Sequence, residues 1–186
     1  DYDWETYLDS FGFEPAKRER IAKATFQSPV WDERDRGLYE EDVYLKQFQE
    51  LDPEDAEDIE KVIRGTGGTI HKRPYADTWV KYLKSKGYHV YILSNYSSYM
   101  LDHTKKELTF RREMDGEVFS CYAKQLKPDA EIYQTILNKY QLKPEECVFI
   151  DDRPENCRGA QEQGIHIICF KDFKQVTADL EKLGVK

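Results

Sequence analysis

The chain has 186 residues, of which 39% are hydrophobic and 13% aromatic, enough for one sizeable apolar core with a small second lobe. Its formal net charge of −8, without a cluster of lysines and arginines, argues against nucleic acid as a partner. No apolar stretch approaches the roughly 18 residues of a membrane span, so we expect no membrane partner. No secretory leader is visible and the four cysteines lack C-x-x-C spacing, which favours a cytoplasmic protein.

Residues 1 to 73 contain almost no strand-like sequence. Apolar residues recur there at helical spacing in four segments, 4–11, 15–25, 43–51 and 53–63. This pattern predicts a small helical lobe. The run Gly65-Thr-Gly-Gly68 follows a helix rather than a strand and lacks the Lys-Ser/Thr of a phosphate-binding P-loop, so we interpret it as a hinge or turn.

From Pro74 onward the pattern changes to alternating helices and strands. Strands are predicted at 89–93, 118–121, 147–150 and 165–170. The helices between and after them are predicted at 99–108, at 129–140, up to residue 164 and up to residue 183. Alternation of this kind implies right-handed crossovers and a parallel sheet, so the sequence predicts a Rossmann-like, three-layer α/β core that carries the helical lobe.

The segment from Cys147 to Asn156 joins a buried strand to two adjacent carboxylates. Carboxylates at the carboxyl end of such a strand lie in the crevice where open α/β sheets bind ligands. Asp151 and Asp152 repel each other there unless a cation or protons neutralise them, and hard oxygen ligands suit Mg²⁺. In the alternative interpretation these acids only cap the following helix, although one acid would suffice for a cap.

Two further polar groups fall near strand ends. Ser94-Asn95 follows the strand predicted at 89–93, and a hydroxyl and a loop N–H could hold phosphate oxygens there, or simply cap a helix. Lys127 precedes Pro128, which can begin the next helix, so its ammonium group can reach over the crevice. Taken alone, a lysine in this position would be a solvated surface residue.

The order of these groups resembles the second, third and fourth motifs of the haloacid dehalogenase superfamily. Leu-Ser-Asn, Leu-Lys-Pro-Asp-x-x-Ile-Tyr and Phe-Ile-Asp-Asp-Arg-Pro-Glu-Asn are similar to the branch that contains α-glucose-1-phosphate phosphatases and the amino-terminal phosphatase domain of soluble epoxide hydrolase. The resemblance covers nearly the whole chain. It implies an α/β core made of residues 1–12 and 74–186, with residues 13–73 as a helical cap.

The resemblance also implies an activity and a role for each residue. The expected enzyme is a Mg²⁺-dependent phosphatase that hydrolyses a small, sugar-phosphate-like phosphomonoester through an aspartyl-phosphate intermediate. Ser94 and the backbone of Asn95 would bind the transferring phosphoryl group. Lys127, the expected catalytic residue, would neutralise that group and the nucleophile. The second acid of the Asp151-Asp152 pair would ligate Mg²⁺, with the first acid and Asn156 beside it.

The first motif of the family, a buried strand ending in a nucleophilic Asp, has no counterpart in the sequence. Asp1 and Asp3 spell Asp-x-Asp, but no apolar strand precedes them, so neither is assigned as the nucleophile. We expect the native polypeptide to extend upstream by one strand that lies between the strands ending at Ser94 and Asp151. The 186-residue chain alone would then lack phosphatase activity, and would be ordered only if another segment filled the gap.

Other functions remain open at this point. A phospho-receiver domain also combines paired acids, a hydroxyl and a lysine, but in a different order along the chain. A catalytically inactive relative that binds a phosphorylated ligand or a partner protein would carry the same residues. A dehalogenase would not need a metal-binding acid pair. The sequence does not predict the oligomeric state.

An aromatic and basic cluster in the helical lobe is a candidate for substrate contact. Trp31, Arg34 and Arg36 could stack on a sugar ring or bind its hydroxyl groups. Alternatively, Trp31 belongs to the core of the lobe and the two arginines form surface ion pairs.

Overall fold

The computed structural model describes residues 2–185. Asp1, the first acid of the Asp-x-Asp sequence, and Lys186 lie outside the described residues. The helical lobe contains α1 (Trp4–Asp9), α2 (Pro15–Ala24), α3 (Pro29–Arg36), α4 (Glu41–Leu51) and α5 (Ala56–Arg64). The core contains α6 (Ala76–Ser85), β1 (Tyr91–Ser94), α7 (Ser98–His103), β2 (Gly116–Phe119), α8 (Ser120–Ala123), α9 (Ala130–Tyr140), β3 (Val148–Asp151), α10 (Pro154–Glu162), β4 (His166–Cys169) and α11 (Phe173–Lys182). None of these helices has both the length and the apolar character needed to cross a membrane.

The helical lobe has an apolar core of its own. Its buried members are Leu8, Ile21, Ala22, Ala24, Tyr44, Leu45, Phe48, Ile59, Val62 and Ile63. Leu8 of α1 belongs to this cluster, so α1 packs with the helices of the lobe, although the predicted division assigns residues 1–12 to the α/β core. The boundary at residue 12 stays a prediction.

Helix α3 is not predicted by apolar spacing. Most of its residues are charged, so no apolar stripe marks it. The local signals are Pro29 at its first position and Gly37 after its last residue, where the φ of 70° suits a glycine. A Cβ atom on Gly37 would lie 3.0 Å from Cα of Cys121, so the end of α3 packs directly on α8 of the core.

The start of the described chain lies beside the segment that leads from the lobe into the core. Tyr2 forms an antiparallel bridge with Ile70, and the backbone N–H of Asp3 donates to the oxygen of Thr69 at 2.9 Å. The Asp3 carboxylate accepts a hydrogen bond from the first turn of α1 and so caps that helix. The glycine-rich run predicted as a hinge or turn forms the short 3₁₀ helix Thr66–Thr69.

The α/β class and the parallel strands are confirmed, but the described strands form two separate two-stranded sheets. In one sheet β1 pairs with β2, and Ser94 lies opposite Phe119. In the other β3 pairs with β4, and Asp151 lies opposite Cys169. Each pair is parallel, so its polar carboxyl ends lie at one edge. The two sheets therefore present Ser94 and Asp151 at strand ends without a shared ladder.

Two element boundaries in the core differ from the predicted ones. The strand predicted at 118–121 ends at Phe119, and Ser120–Ala123 is helical as α8. The helix predicted at 99–108 ends at His103, and a 3₁₀ helix at Thr109–Glu113 follows it. A short element carries little periodicity, so apolar spacing does not locate its end.

Helix α10 approaches the loop before α9 closely at Gly159. A Cβ atom there would lie 2.5 Å from the backbone oxygen of Pro128 and 3.0 Å from the ring of Tyr133.

We expect Gly159→Ala to destabilise the protein by about 1–3 kcal/mol through overpacking, although alanine ordinarily stabilises a helix relative to glycine. Denaturant unfolding measures the change. Arg158→Ala, an exposed position on the same helix, is the control and should stay within about 0.5 kcal/mol; a gain in stability for Gly159→Ala would contradict the close packing.

Candidate active site

The loop after β1 and the loop before α9 are joined by a reciprocal pair of hydrogen bonds. The side-chain amide of Asn95 donates to the backbone oxygen of Lys127 at 3.0 Å, and its oxygen accepts from the backbone N–H of Lys127 at 2.8 Å. The Asn95 side chain is therefore committed to holding Lys127 in place. The backbone of Asn95 remains for a ligand, and it is the group that the family resemblance implies for phosphate binding.

Lys127 links the two sheets. Its ammonium group donates to the oxygen of Leu93 in β1 at 3.0 Å and to Oδ2 of Asp151 at the end of β3 at 2.6 Å. The side chains of Lys127 and Asp151 are 7% and 8% exposed, so the ion pair is almost fully removed from water. Such a pair tolerates burial only when its remaining polar atoms are hydrogen-bonded.

The two adjacent carboxylates have different environments. The second oxygen of Asp151 accepts from the backbone N–H of Arg153 at 3.0 Å and from the amide of Asn156 at 2.9 Å, so both oxygens of Asp151 are occupied. Asp152 is exposed, and within residues 2–185 its carboxylate forms neither a hydrogen bond nor an ion pair. Asp152 is therefore the member of the pair that is available to a cation.

The oxygen donors at this position suit a hard cation. The side-chain oxygen of Asn156 is buried and has no hydrogen-bond partner among the described residues. A free carboxylate and an amide oxygen that lacks a donor are ligands that Mg²⁺ accepts. No group of three or more His, Cys, Asp or Glu side chains in residues 2–185 could hold a metal ion by itself. Asp152 and Asn156 thus fit Mg²⁺ as part of a ligand set.

A pocket of about 280 Å³ lies between the helical lobe and the strand ends. All the predicted phosphate and metal residues line its core side, namely Ser94, Asn95, Lys127, Asp151, Asp152 and Asn156. Its lobe side is lined by Tyr2, Trp31, Asp32 and Asp35. We call this space the interlobe pocket. The structure brings the six core residues together, and the role of each stays a prediction.

The three residues of the predicted aromatic and basic cluster do not lie together at the pocket. Trp31 lines the interlobe pocket, but neither arginine does so in the described chain. Arg34 is only 1% exposed and forms a bidentate ion pair with Glu41 at 3.0 and 2.6 Å, rather than a surface pair. Arg36 pairs with Glu33 at 3.3 Å on the same helix. A substrate contact by either arginine stays a prediction.

Asp35 is a pocket residue that sequence reasoning does not single out, because an acid within the charged segment 32–36 resembles a solvated helix face. The backbone N–H of Ser97 and the ammonium group of Lys127 both act to lower the pKa of its carboxyl group. Burial raises the pKa of Asp35 to about 7, against the opposing charge of Arg34. Asp35 therefore exists in both protonation states near neutral pH.

Comparisons with known proteins bear on the family and the fold of the chain. The model of the haloacid dehalogenase-like hydrolase family matches residues 7–164. Flavin mononucleotide hydrolase 1 of Arabidopsis thaliana is 26% identical over 84% of the chain, which spans 62% of that protein's length. Sesquiterpene phosphatase astK of Aspergillus oryzae is 26% identical over 84% of the chain and 80% of its own length. The fold is similar to that of HAD family enzyme bt-2542 of Bacteroides thetaiotaomicron in complex with magnesium and inorganic phosphate, with a TM-score of 0.71, 20% identity and coverage of 95% and 92% of the two chains.

The unequal environments of the two acids predict unequal effects on stability. In the full-length protein without added metal, Asp151→Asn should lower the free energy of unfolding by about 3–5 kcal/mol, because it leaves the Lys127 ammonium buried without its counter-charge. Asp152→Asn is the matched control and should change it by less than about 0.5 kcal/mol. Urea unfolding at pH 7 measures both. Equal losses in the two variants would contradict the assignment of Asp151 as the structural partner of Lys127.

The raised pKa of Asp35 predicts a pH dependence of stability with a defined sign. Its folded pKa of about 7 lies above the ordinary value of 3.8, so the folded state holds the proton more tightly. The contribution of protonated Asp35 to the free energy of unfolding is complete below about pH 4 and is lost as the pH rises through 7. Asp35→Asn cannot ionise, so its stability relative to wild type should rise between pH 4 and pH 8. Unfolding curves at several pH values test this, and a constant difference between the two proteins would contradict it.

Proposed function

Because the chain belongs to the haloacid dehalogenase-like hydrolase family, we propose that the full-length protein is a Mg²⁺-dependent phosphatase acting on a small phosphomonoester. One observation carries the proposal. The interlobe pocket contains a buried lysine ammonium, whose partner Asp151 is satisfied, beside a second carboxylate, Asp152, that is free. An ammonium group beside an acid open to a cation is the pair of charges that phosphoryl transfer requires.

The core side of the pocket offers donors for the phosphoryl oxygens. The Lys127 ammonium has three N–H donors and uses two of them on Leu93 and Asp151, which leaves one for a phosphoryl oxygen. The hydroxyl of Ser94 makes only a long contact of 3.3 Å with the oxygen of the next residue, so it is free to bind a ligand. These residues orient the phosphoryl group and stabilise its developing charge.

The two oxygens that lack hydrogen-bond partners within residues 2–185 support a choice of cation ligands. Asp152 and the side-chain oxygen of Asn156 would hold Mg²⁺, which supplies neutralisation of the phosphoryl oxygens when it is bound. The neighbouring Asp151 is held by three donors and instead keeps the Lys127 ammonium in position. The free Asp152 carboxylate favours a phosphatase over a dehalogenase, since haloacid hydrolysis by a carboxylate nucleophile needs no metal.

The nucleophile is proposed to lie on a strand between the two sheets. A strand inserted beside β1 and β3 would lie about 4.8 Å from each and supply backbone partners for both edges. Its carboxyl end would then meet Ser94 and Lys127, where an aspartate could attack the phosphorus atom. The aspartate oxygen bonds to phosphorus as the bond from phosphorus to the ester oxygen breaks, and the leaving oxygen takes a proton from solvent. Water then hydrolyses the aspartyl-phosphate, which releases inorganic phosphate and restores the carboxylate. The separation of the strands into two pairs supports this proposal.

The activity is tested with the full-length protein and a panel of phosphomonoesters, with and without Mg²⁺. We expect turnover that depends on Mg²⁺, and a fall in kcat of about 10²–10³ for Lys127→Ala, because the phosphoryl group loses a charge that stabilises its transition state. Lys143→Ala removes an exposed lysine and is the control, expected to retain full activity. Activity of Lys127→Ala within about twofold of wild type would refute the role of the ammonium group.

A second measurement tests the cation ligands without turnover. Calorimetric titration should show Mg²⁺ binding to the wild type and its loss in Asp152→Asn. Unchanged affinity in that variant would refute the assignment of Asp152. A protein that binds inorganic phosphate but turns over no phosphomonoester would instead support a catalytically inactive phospho-ligand module.

A further inference from the structure

The lobe side of the interlobe pocket has no role in the chemistry described above. If the core side binds the phosphoryl group, the organic part of the substrate faces Trp31, Asp32 and Asp35. Tyr2 stacks against Trp31 with ring centroids 6.1 Å apart, so an aromatic surface borders the two acids. Among residues 2–185, no lysine lines this side of the pocket, and Arg34 is turned toward Glu41. Its chemistry is therefore aromatic and acidic.

Asp35 is held rigidly at this position by contacts of its own backbone. The hydroxyl of Ser120 donates to the backbone oxygen of Asp35 at 2.6 Å, and Ser120 is fully buried. The Lys124 ammonium donates to the backbone oxygen of Gly37, which itself packs against Cys121. The end of α3 is thus attached to the α8 segment of the core at Asp35 and again at Gly37, two residues later. A residue that discriminates between substrates needs a rigid position of this kind.

The side chain of Asp35 requires a hydrogen-bonding partner that is not an anion. Its carboxyl group lines the interlobe pocket, and the neighbouring Asp32 carboxylate adds a second negative charge nearby. A hydroxyl group can donate to the ionised carboxylate and accept from the protonated carboxyl, so it suits both states. A carboxylate on the substrate would meet like charge whenever Asp35 is ionised.

We propose that Asp35 is the specificity-determining residue on the lobe side, where it hydrogen-bonds a hydroxyl group of an uncharged polyol phosphate and disfavours phosphomonoesters whose leaving group carries a carboxylate. The aromatic surface of Tyr2 and Trp31 supports this assignment, because a ring of that kind packs on the apolar C–H face of a polyol while a nearby acid binds its hydroxyl groups. The inference rests on the phosphatase activity proposed above.

The experiment compares three substrates in the full-length protein with Mg²⁺. Glucose 1-phosphate carries hydroxyl groups, 3-phosphoglycerate carries a carboxylate, and p-nitrophenyl phosphate carries neither next to its phosphate. Asp35→Ala should lower kcat/KM for glucose 1-phosphate by about 10–100-fold, mainly through KM, because a hydrogen bond to a charged group is lost. The kcat/KM of Asp35→Ala for p-nitrophenyl phosphate should stay within about threefold of the wild-type value. Asp35→Asn keeps a hydrogen-bonding group without the charge, and should raise kcat/KM for 3-phosphoglycerate at least about tenfold.

The matched control is Glu33→Gln, which removes a charge from an exposed position of the same helix. It should leave the ratios between the three substrates unchanged. A purely structural effect of Asp35 would lower all three kcat/KM values together, and ratios unchanged in both Asp35 variants would overturn the inference while leaving the phosphatase activity intact. Wild-type protein that turns over none of the three substrates would overturn the proposed function and the inference with it.

Discussion

The arrangement of the site depends on the buried ion pair between Lys127 and Asp151. The ammonium group contacts Leu93 in one sheet and Asp151 in the other, so a single side chain joins two pairs of strands that have no ladder in common. Removing two charges from water is costly, and the cost is offset only if further hydrogen bonds accompany the ion pair. The amide of Asn156 and the backbone N–H of Arg153 donate hydrogen bonds to the second oxygen of Asp151, so both oxygens of that carboxylate have partners. The pair thus holds the strand ends together and leaves Asp152 free.

A second set of contacts connects the helical lobe to the same strand ends. The hydroxyl of Ser120 accepts from the backbone N–H of Tyr96 at 2.8 Å and donates to the backbone oxygen of Asp35 at 2.6 Å. Tyr96 directly follows Asn95, whose side chain holds Lys127. One buried hydroxyl therefore fixes the lobe against the loop that carries the proposed phosphate ligands. Displacement of the lobe would disturb the position of that loop as well as that of Asp35.

The sequence predicts the parts of the fold that carry a period or a motif. Helices and parallel strands from Pro74 onward are confirmed because each shows apolar spacing or a short apolar run, as at Val148–Asp151, although the residues of that strand are only partly buried rather than fully buried as predicted. The six polar residues at strand ends are brought into one pocket, in keeping with the family that their order indicates. What the sequence cannot supply is the environment of each group. Asp151 and Asp152 are identical in type and adjacent, and only their tertiary neighbours separate a buried partner of lysine from a free acid.

Helix α3 shows the same limit in the lobe. Its charged sequence gives no apolar stripe, so neither the helix nor its buried face is predictable by spacing. Arg34 is buried because Glu41 neutralises it and the rings of Trp31 and Tyr99 cover its guanidinium at 5.1 and 5.2 Å. Of these partners, only Trp31 belongs to α3, and Glu41 and Tyr99 lie further along the chain. Because Arg34 faces inward, the next residue, Asp35, turns toward the interlobe pocket.

The charges of the interlobe pocket set an order for binding. Four carboxylates line it, those of Asp32, Asp35, Asp151 and Asp152, against the side chains of Lys127 and Arg153. The charge of Lys127 is already balanced by Asp151, so the remaining field is negative and repels a phosphate dianion. A cation near Asp152 or a proton on Asp35 reduces that repulsion. Under the proposed function, the pocket would accept positive charge before its substrate, and the affinity for a phosphomonoester would be coupled to the occupancy of the cation site.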